Sequence, residues 1–544
     1  VTPRARFENS SGSLFTDGLR GVLAAHPDAV WHDAGFVARR TPRSSGVAVI
    51  SGGGSGHEPM HVGLVGAGLL DAACPGLIFT SPNAVQVAAA TRAVDTGAGV
   101  LHVVKNYTGD VMNFAVARRL VAAPDADARA AATEVVLVDD DVATEDTSGP
   151  GRRGTAATIV VEKICGAAAD RGLPLAEVAA VGRRTAERAR SMAVSVSACN
   201  VPGADTPSFD LPAGRMAFGV GIHGERARDE RPVTAAEEIV TDLLARILPG
   251  TGLGAGDRAL VVVNNLGAVT DLETGVLFAE TVKQLAERGI EVTRSLVGRF
   301  VTALDMAGAS VTVVPLDDEL IELWDAPTSA PAWPHAATAP SHLDPLAHAA
   351  PDDATDTGEA NVWLSDFVGR VQRSVDELTE LDRRAGDGDF GTNMAAALGH
   401  FPLPLRGTDS DVLEAIATSY LVRAGGTSGA VFGTFFTELG RALQPDGAGF
   451  AAGVRASLDA VVELGGAKVG DKTVVDALSP AADVLDGGGS LADAAAAAAR
   501  GVAATADSAA SRGRASYLGD AVKGVPDPGA LVTSWLFEAA AASR

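Results

Sequence analysis

Six short apolar runs, rich in β-branched residues, recur through the first part of the chain: GVAVI (46–50), GLIFT (76–80), GVLHVV (99–104), EVVLV (134–138), ALVVVN (259–264) and SVTVVP (310–315). Each is bounded by Gly, Asn, Asp or Pro, which is the pattern of a buried strand. Helical stretches such as 84–95 and 273–288 lie between several of them. Strand alternating with helix predicts an α/β region whose mainly parallel sheet is covered on both faces.

The pattern stops at residues 326–358, a stretch rich in Pro, Ala and His with no apolar period. That composition predicts an extended, semi-rigid linker. Beyond it the period changes. In NVWLSDFVGRVQRSVDELTELD (361–382), Leu364, Phe367, Val368, Val371, Val375, Leu378 and Leu381 recur every three or four positions, which predicts one amphipathic helix. Ala-rich helical stretches follow at 411–422, 430–443, 449–464, 473–485 and 491–506. The expected organisation is an α/β domain over 1–325, a linker over 326–358 and an all-α domain over 359–544.

A length of 544 residues allows two to four domains at roughly 150 residues each. The net charge of −24 makes nucleic acid and membrane surfaces poor partners, so a small anionic substrate needs local cations or metal ions to offset the field. Cys74, Cys165 and Cys199 are scattered and form no CxxC pair, which fits a reducing cytoplasm better than a disulfide scaffold or zinc site. VTPRARFENS at the start lacks the apolar core of a signal peptide, and no apolar run is long enough to span a bilayer.

Four stretches carry candidate chemistry. ISGGGSGHEPMH follows the strand at 46–50, and its glycines let a ligand approach free backbone N–H groups beside Ser55 and His57. It is neither a Walker A loop nor a dinucleotide fingerprint. KNYTGD ends a second strand, so Lys105 and Asp110 share the crevice with His57 or form a plain ion pair. In the crevice, Lys105 can hold a substrate oxygen, and Asp110 can take a hydroxyl proton. GVGIHGE sets His223 between glycines and next to Glu225, either as a packed histidine or as a nucleophilic imidazole that traps a carbonyl carbon. LDRRAGDGDFGTNM places Asp382, Asp387 and Asp389 within eight residues, either as a solvated acidic loop or as a set that a divalent hard cation would neutralise. GGTSGA (425–430), GGAKVGDKTVVDAL (465–478) and GVPDPGA (524–530) are further Gly-rich breaks between helices, suited to phosphate at helix N-termini.

Taken in order, GGGSGHEP, KNYTGD, GIHGE, GDGDFGTNM, GGTSGA, GDKTVVDAL and DPGA resemble the single-chain, ATP-dependent dihydroxyacetone kinase family, which includes erythrulose kinases. The resemblance covers nearly the whole chain. It implies an N-terminal ketose-binding domain of two α/β subdomains and a C-terminal antiparallel helical barrel that holds ATP. His223 would bind the ketone covalently as a hemiaminal. His57 and Asp110 would manage protons, and Gly54, Ser55, Gly56 and Lys105 would line the substrate site. Asp382, Asp387 and Asp389 would carry two Mg²⁺ ions. Phe390, Gly391, Thr392, Asn393, Thr427, Ser428, Gly465, Thr473 and Val474 would meet the nucleotide, and Asp527, Pro528 and Gly529 would close over it. The implied partners are a small ketose, ATP and a second copy in a homodimer.

Three departures stand out. Phe390 replaces a common His, Ala521 and Val525 replace an Arg and a His, and Arg215 and Arg226 add charge near His223. The expected reaction is phosphorylation of a terminal hydroxyl of dihydroxyacetone or a four-carbon ketose such as erythrulose. The alternatives are an FAD-AMP lyase forming cyclic FMN and a non-catalytic ketose sensor or partner-binding protein.

Overall fold

The computed structural model describes residues 6–10, 12–122, 130–145, 151–227, 229–334, 357–385, 388–511 and 523–544. The chain divides into two compact units, 1–345 and 346–544.

The first unit carries two six-stranded sheets. The first sheet uses β1 (Ala29–His32), β2 (Phe36–Arg39), β3 (Ala48–Ser55), β4 (Ala72–Ile78), β5 (Val100–Lys105) and β6 (Thr133–Val138), in the order β1-β2-β4-β3-β5-β6. Its β4, β3, β5 and β6 are parallel, as expected for strands joined through helices such as Ala84–Val94 and Thr108–Ala122. The second sheet uses β7 (Arg190–Ser195), β8 (Arg215–Phe218), β9 (Asp229–Pro232), β10 (Arg258–Asn265), β11 (Glu291–Gly298) and β12 (Gly308–Leu316), in the order β11-β10-β12-β7-β8-β9. Here the expectation of a mainly parallel sheet fails. Only β10 and β11, linked through helix Asp271–Glu287, run parallel, and every other pair is antiparallel.

Helix Ala157–Asp170 is buried along its length, up to Ala169. Its Ile159, Val160 and Ile164 share one core with Val49, Leu101 and Val136 of the first sheet and with Leu260, Val262 and Val314 of the second. The segment 299–304, beyond β11, fastens the second sheet to the glycine loop. Asn264 Oδ1 accepts from the N–H groups of Phe300 (3.0 Å) and Val301 (2.8 Å), and Leu304 N–H donates to the Gly56 carbonyl at 2.9 Å.

Residues 326–334, which composition assigns to the linker, pack on the first unit. Ser329 exchanges hydrogen bonds with Ala67, Ala332 N–H donates to Gly63, and the Trp333 ring meets Trp324 edge-on at 5.0 Å. Burial of Ala330 and the indoles fixes this stretch despite its prolines. The rest of the linker, 335–356, lies outside the described residues.

The second unit is helical: Val362–Arg373, Val375–Ala385, Phe390–Leu398, Asp409–Arg423, Gly426–Ala442, Phe450–Gly465, Val474–Asp486, Leu491–Asp507 and Pro528–Ser543. The single helix expected over 361–382 is two, broken where Ser374 leaves helical geometry at φ −107° and ψ 15°. The last helix closes against the first, with Arg370 stacked 4.4 Å over the Trp535 ring. Among the described residues no helix is long and apolar enough to cross a membrane.

Candidate active site

The glycine loop ends β3 at the C-terminal edge of the first sheet, where open parallel sheets present their binding crevice. His57 follows it and is fully buried. Its Nδ1–H donates to the Thr302 carbonyl at 2.7 Å, which leaves Nε2 bare, buried and without a protein partner. Burial holds its pKa well below the usual imidazole value, and the charges of His223 and Lys105 add to that. His57 is therefore a neutral base with one free lone pair.

Lys105 closes β5, and Asp110 lies in the first turn of helix Thr108–Ala122. Both are buried, 0% and 1% exposed, with Nζ 3.4 Å from Oδ2. The surface-pair reading is thereby excluded. Lys105 Nζ also donates to the Gly52 carbonyl (3.1 Å) and to His61 Nε2 (3.0 Å). The His61 Nδ1–H donates to Glu162 Oε1 at 2.6 Å. Asp110 Oδ1 stays buried with no hydrogen-bond partner. Gly53 makes this packing possible, because a Cβ there would lie 2.1 Å from Lys105 Nζ.

His223 faces His57 edge-on, ring centroids 4.6 Å apart, and meets Tyr107 at 4.4 Å and Phe79 at 5.5 Å. Glu225 anchors it: Oε2 accepts the His223 backbone N–H at 2.8 Å, and Oε1 is 3.5 Å from Nδ1. Burial pushes the Glu225 carboxyl up, but the hydrogen bond and charge of His223 and the charge of Arg153 outweigh it and hold it at about 2. Arg153 is itself tied to Asp141, at 2.6 Å. Arg226 pairs with Glu230 at 2.8 Å and Arg215 donates to the Glu230 carbonyl, so both guanidinium groups are engaged by β9.

In the helical unit, alternate helices begin at Phe390, Gly426, Val474 and Pro528. In an up-and-down arrangement these N-termini share one end, where their dipoles favour anions. Direct contacts support part of this. A Cβ on Gly529 would lie 2.9 Å from Val474 Cγ1 and 3.8 Å from the Phe390 ring. Thr392 and Asn393 lie in the first turn of their helix, Thr427 and Ser428 in that of theirs, and Gly465 ends helix Phe450–Gly465. Thr473 caps Val475 N–H. Asp527 caps its helix by accepting from Ala530 N–H at 2.7 Å. Burial pushes the Asp527 carboxyl up to about 7; Ala530 N–H and the Lys472 charge oppose this, while Asp476 and Asp382 add to it. Asp382 is 8% exposed and accepts from Phe390 N–H at 3.0 Å, and Asp389 stands at the N-cap position of the helix that Phe390 begins, without a side-chain capping bond. Carboxylates are the donors a hard divalent cation takes, but among the described residues no three of them gather closely enough to hold one. Asp387 and Ala521 lie outside the described residues.

Residues 20–332 match the Dak1 domain and residues 384–542 match the DAK2 domain. The human triokinase/FMN cyclase is 35% identical over 98% of this chain and 98% of its own length. The L-erythrulose kinase of Pectobacterium atrosepticum is 36% identical, over 98% of this chain and 95% of its own. The chain belongs to the single-chain, ATP-dependent dihydroxyacetone kinase family. Among solved structures, the dihydroxyacetone kinase of C. freundii matches all of this chain and all of its own, with a TM-score of 0.65 and 31% identity. That kinase has also been solved with AMP-PNP and Mg²⁺.

Within this dihydroxyacetone kinase fold, His57, Lys105, Asp110 and His223 are brought together. Ser55 is buried and spends its hydroxyl on the Gly76 carbonyl at 2.7 Å, while Gly54 and Gly56 pack on Phe79. Sequence reasoning missed His61, Tyr107, Phe79, Arg153, Glu162 and Thr302. Two signals were present: the second histidine of HEPMH, and a lone Glu-Lys pair inside the otherwise apolar ATIVVEKICGAAA.

Proposed function

We propose that the chain phosphorylates a terminal hydroxyl of dihydroxyacetone or a four-carbon ketose held covalently on His223, with ATP bound by the helical unit. Membership of the family makes it an ATP-dependent ketose kinase; the covalent step and the residue roles are the proposal. The observations that carry it are an anchored imidazole, His223, against His57, and a buried carboxylate with an unpartnered oxygen, Asp110, paired with the Lys105 whose charge acts on His57.

Glu225 at Nδ1 keeps the His223 Nε2 lone pair available for the ketone carbon. The new C–N bond forms as the carbonyl π bond opens, and the imidazole N–H proton ends on the former carbonyl oxygen. Glycerol has no carbonyl and cannot be trapped. Asp110 accepts the terminal hydroxyl proton as that oxygen attacks the γ-phosphorus and ADP leaves. Such a base contributes about 10²–10⁴-fold. Bare Nε2 of His57 accepts a hydrogen bond from the bound sugar.

Asp382, Asp387 and Asp389 would hold Mg²⁺, which when bound neutralises charge on the phosphate oxygens. Phe390, Gly391, Thr392, Asn393, Thr427, Ser428, Gly465, Thr473, Val474, Pro528 and Gly529 would surround the nucleotide. Two magnesium ions, a homodimer and cytoplasmic residence belong to the same proposal. Cyclic FMN formation appears in the human relative's name, and no described residue favours it over the kinase reading.

The test is a coupled ATPase assay over dihydroxyacetone, both erythrulose enantiomers and glycerol, with ¹³C spectra of C2-labelled ketone. ATP consumption should require a ketose, and the labelled carbon should become tetrahedral in the parent but not in His223→Asn. Ketose-independent turnover, or an adduct that survives in His223→Asn, overturns the proposal.

A further inference from the structure

We infer that His61 and Glu162 are a buried positioning pair for phosphoryl transfer: Glu162 fixes the His61 tautomer, and His61 in turn fixes Lys105 against Asp110. The inference rests on the proton-accepting role proposed for Asp110.

Lys105 has three N–H bonds and no acceptor capacity. Three acceptors surround Nζ: the Gly52 carbonyl at 3.1 Å, His61 Nε2 at 3.0 Å and Asp110 Oδ2 at 3.4 Å. The two hydrogen bonds and the ion pair fix Nζ beside Asp110. For Nε2 of His61 to accept, it must be bare, and the ring proton must sit on Nδ1. That nitrogen lies 2.6 Å from Glu162 Oε1, and a carboxylate can only accept there. Burial, reinforced by the Lys105 charge, holds the His61 pKa below its usual value against the pull of Glu162, so the ring stays neutral.

Glu162 is hard to explain otherwise. It is 0% exposed, on a helix where Val160, Val161 and Ile164 surround it in sequence and the adjacent Lys163 bonds elsewhere, to the Leu323 carbonyl. Its Oε2 has no hydrogen-bond partner, and its one side-chain bond among the described residues goes to His61. A buried carboxylate kept for packing alone is worse than an apolar side chain of the same size.

The experiment compares Glu162→Leu, which removes the acceptor but fills the space, with Glu162→Gln, whose amide oxygen can still accept from Nδ1–H. Long-range ¹H–¹⁵N spectra of histidine-labelled full-length protein, assigned with His61→Asn, read the tautomer directly. The parent should show a neutral, Nδ1-protonated His61. Glu162→Leu should still fold, with Tm lowered because His61 Nδ1–H loses its Glu162 acceptor, lose kcat by about 10- to 100-fold and keep the ketose KM within about threefold, because misplacing Asp110 affects only the reacting geometry. Glu162→Gln should recover kcat to within about threefold of the parent on the same reasoning. An Nε2-protonated or charged His61 in the parent, or Glu162→Leu at the parent rate, overturns the inference. If Glu162→Leu fails to fold, the parent spectrum decides alone. Asp110→Asn at the parent rate would instead sink the role of Asp110 and leave the tautomer reading intact.

Discussion

Replacing Gly53 with alanine would place a methyl carbon 2.1 Å from Lys105 Nζ and 3.1 Å from His61 Nε2. Carbon and nitrogen in contact settle at about 3.5 Å, so the ammonium must withdraw by more than an ångström. Ordinarily a lysine tip moves cheaply. This one is 0% exposed and held by Gly52, His61 and Asp110, so each retreat stretches a bond to a buried acceptor. Overpacking a core costs about 1–3 kcal/mol. Severing a buried ion pair outright costs about 3–5 kcal/mol. Here the pair is stretched and not deleted, so a loss near 2–3 kcal/mol is expected, roughly the upper end of the overpacking range.

Activity should suffer more than stability. An ångström of misplacement at a reacting group costs about 10²-fold, so Gly53→Ala should lower kcat by about that factor while the ¹³C ketone adduct on His223 persists. A double-mutant cycle with Lys105→Met isolates the cause. The thioether chain ends one atom short of Nζ, so the two changes should be less than additive in folding free energy, with a coupling of about 1 kcal/mol or more. Full additivity, or Gly53→Ala at the parent kcat, would refute the claim that Lys105 must occupy this one position.

Asp527→Asn keeps the helix cap, since Asn caps as well as Asp, but removes one carboxylate from the group around Asp382 and Asp476. The Tm should scarcely move while the KM for ATP at fixed Mg²⁺ rises about tenfold or more, worth about 1.4 kcal/mol; an unchanged KM would show that the carboxylate plays no part in nucleotide binding, and a lower one that it repels the nucleotide. Lys163 is pushed down from 10.5 to about 8, first by burial and then by Arg171, against the pull of Asp325 and Asp170. Its charged form is thus disfavoured in the folded state: the penalty, about 3 kcal/mol at roughly 1.4 per unit, is full below pH 8 and fades as pH rises to 10.5. Lys163→Met should therefore be more stable than the parent at pH 7, less the bond to the Leu323 carbonyl, and urea titrations should show that advantage disappear between pH 8 and 10.5.

The motif-bearing half of this molecule was legible because glycine loops and charged turns sit directly on strand ends that β-branched runs announce. β3, β5, β6, β10 and β12 all follow from such runs. β8 and β9 read RMAF and DERP, with neither branching nor alternation, so their pairing escapes local reasoning and the second sheet looked parallel. The apolar period runs unbroken across Ser374, so only the backbone reveals that two helices share it. Helix Phe390–Leu398 hides because its first turn is Gly-Thr-Asn, which reads as a loop. Thr302 is 245 residues from the His57 ring it orients, and Glu162 is 101 from His61. Pairings of that span are set by packing two sheets on one helix, and no local pattern encodes them.

The two units answer one electrostatic problem in different ways. A chain of net charge −24 repels a nucleotide, so in the proposed reading helix N-termini and a hard cation on the helical unit supply the positive charge. The ketose is neutral and needs no such field. In the proposed mechanism selection rests on carbon–nitrogen bond formation at His223, while Lys105 hydrogen-bonds the Gly52 carbonyl and His61 and pairs with Asp110. On the positioning role inferred above, the buried ionic row from Asp110 to Glu162 contributes placement: Asp110 Oδ1 stays buried without a protein partner, at a cost in desolvation that packing alone does not repay.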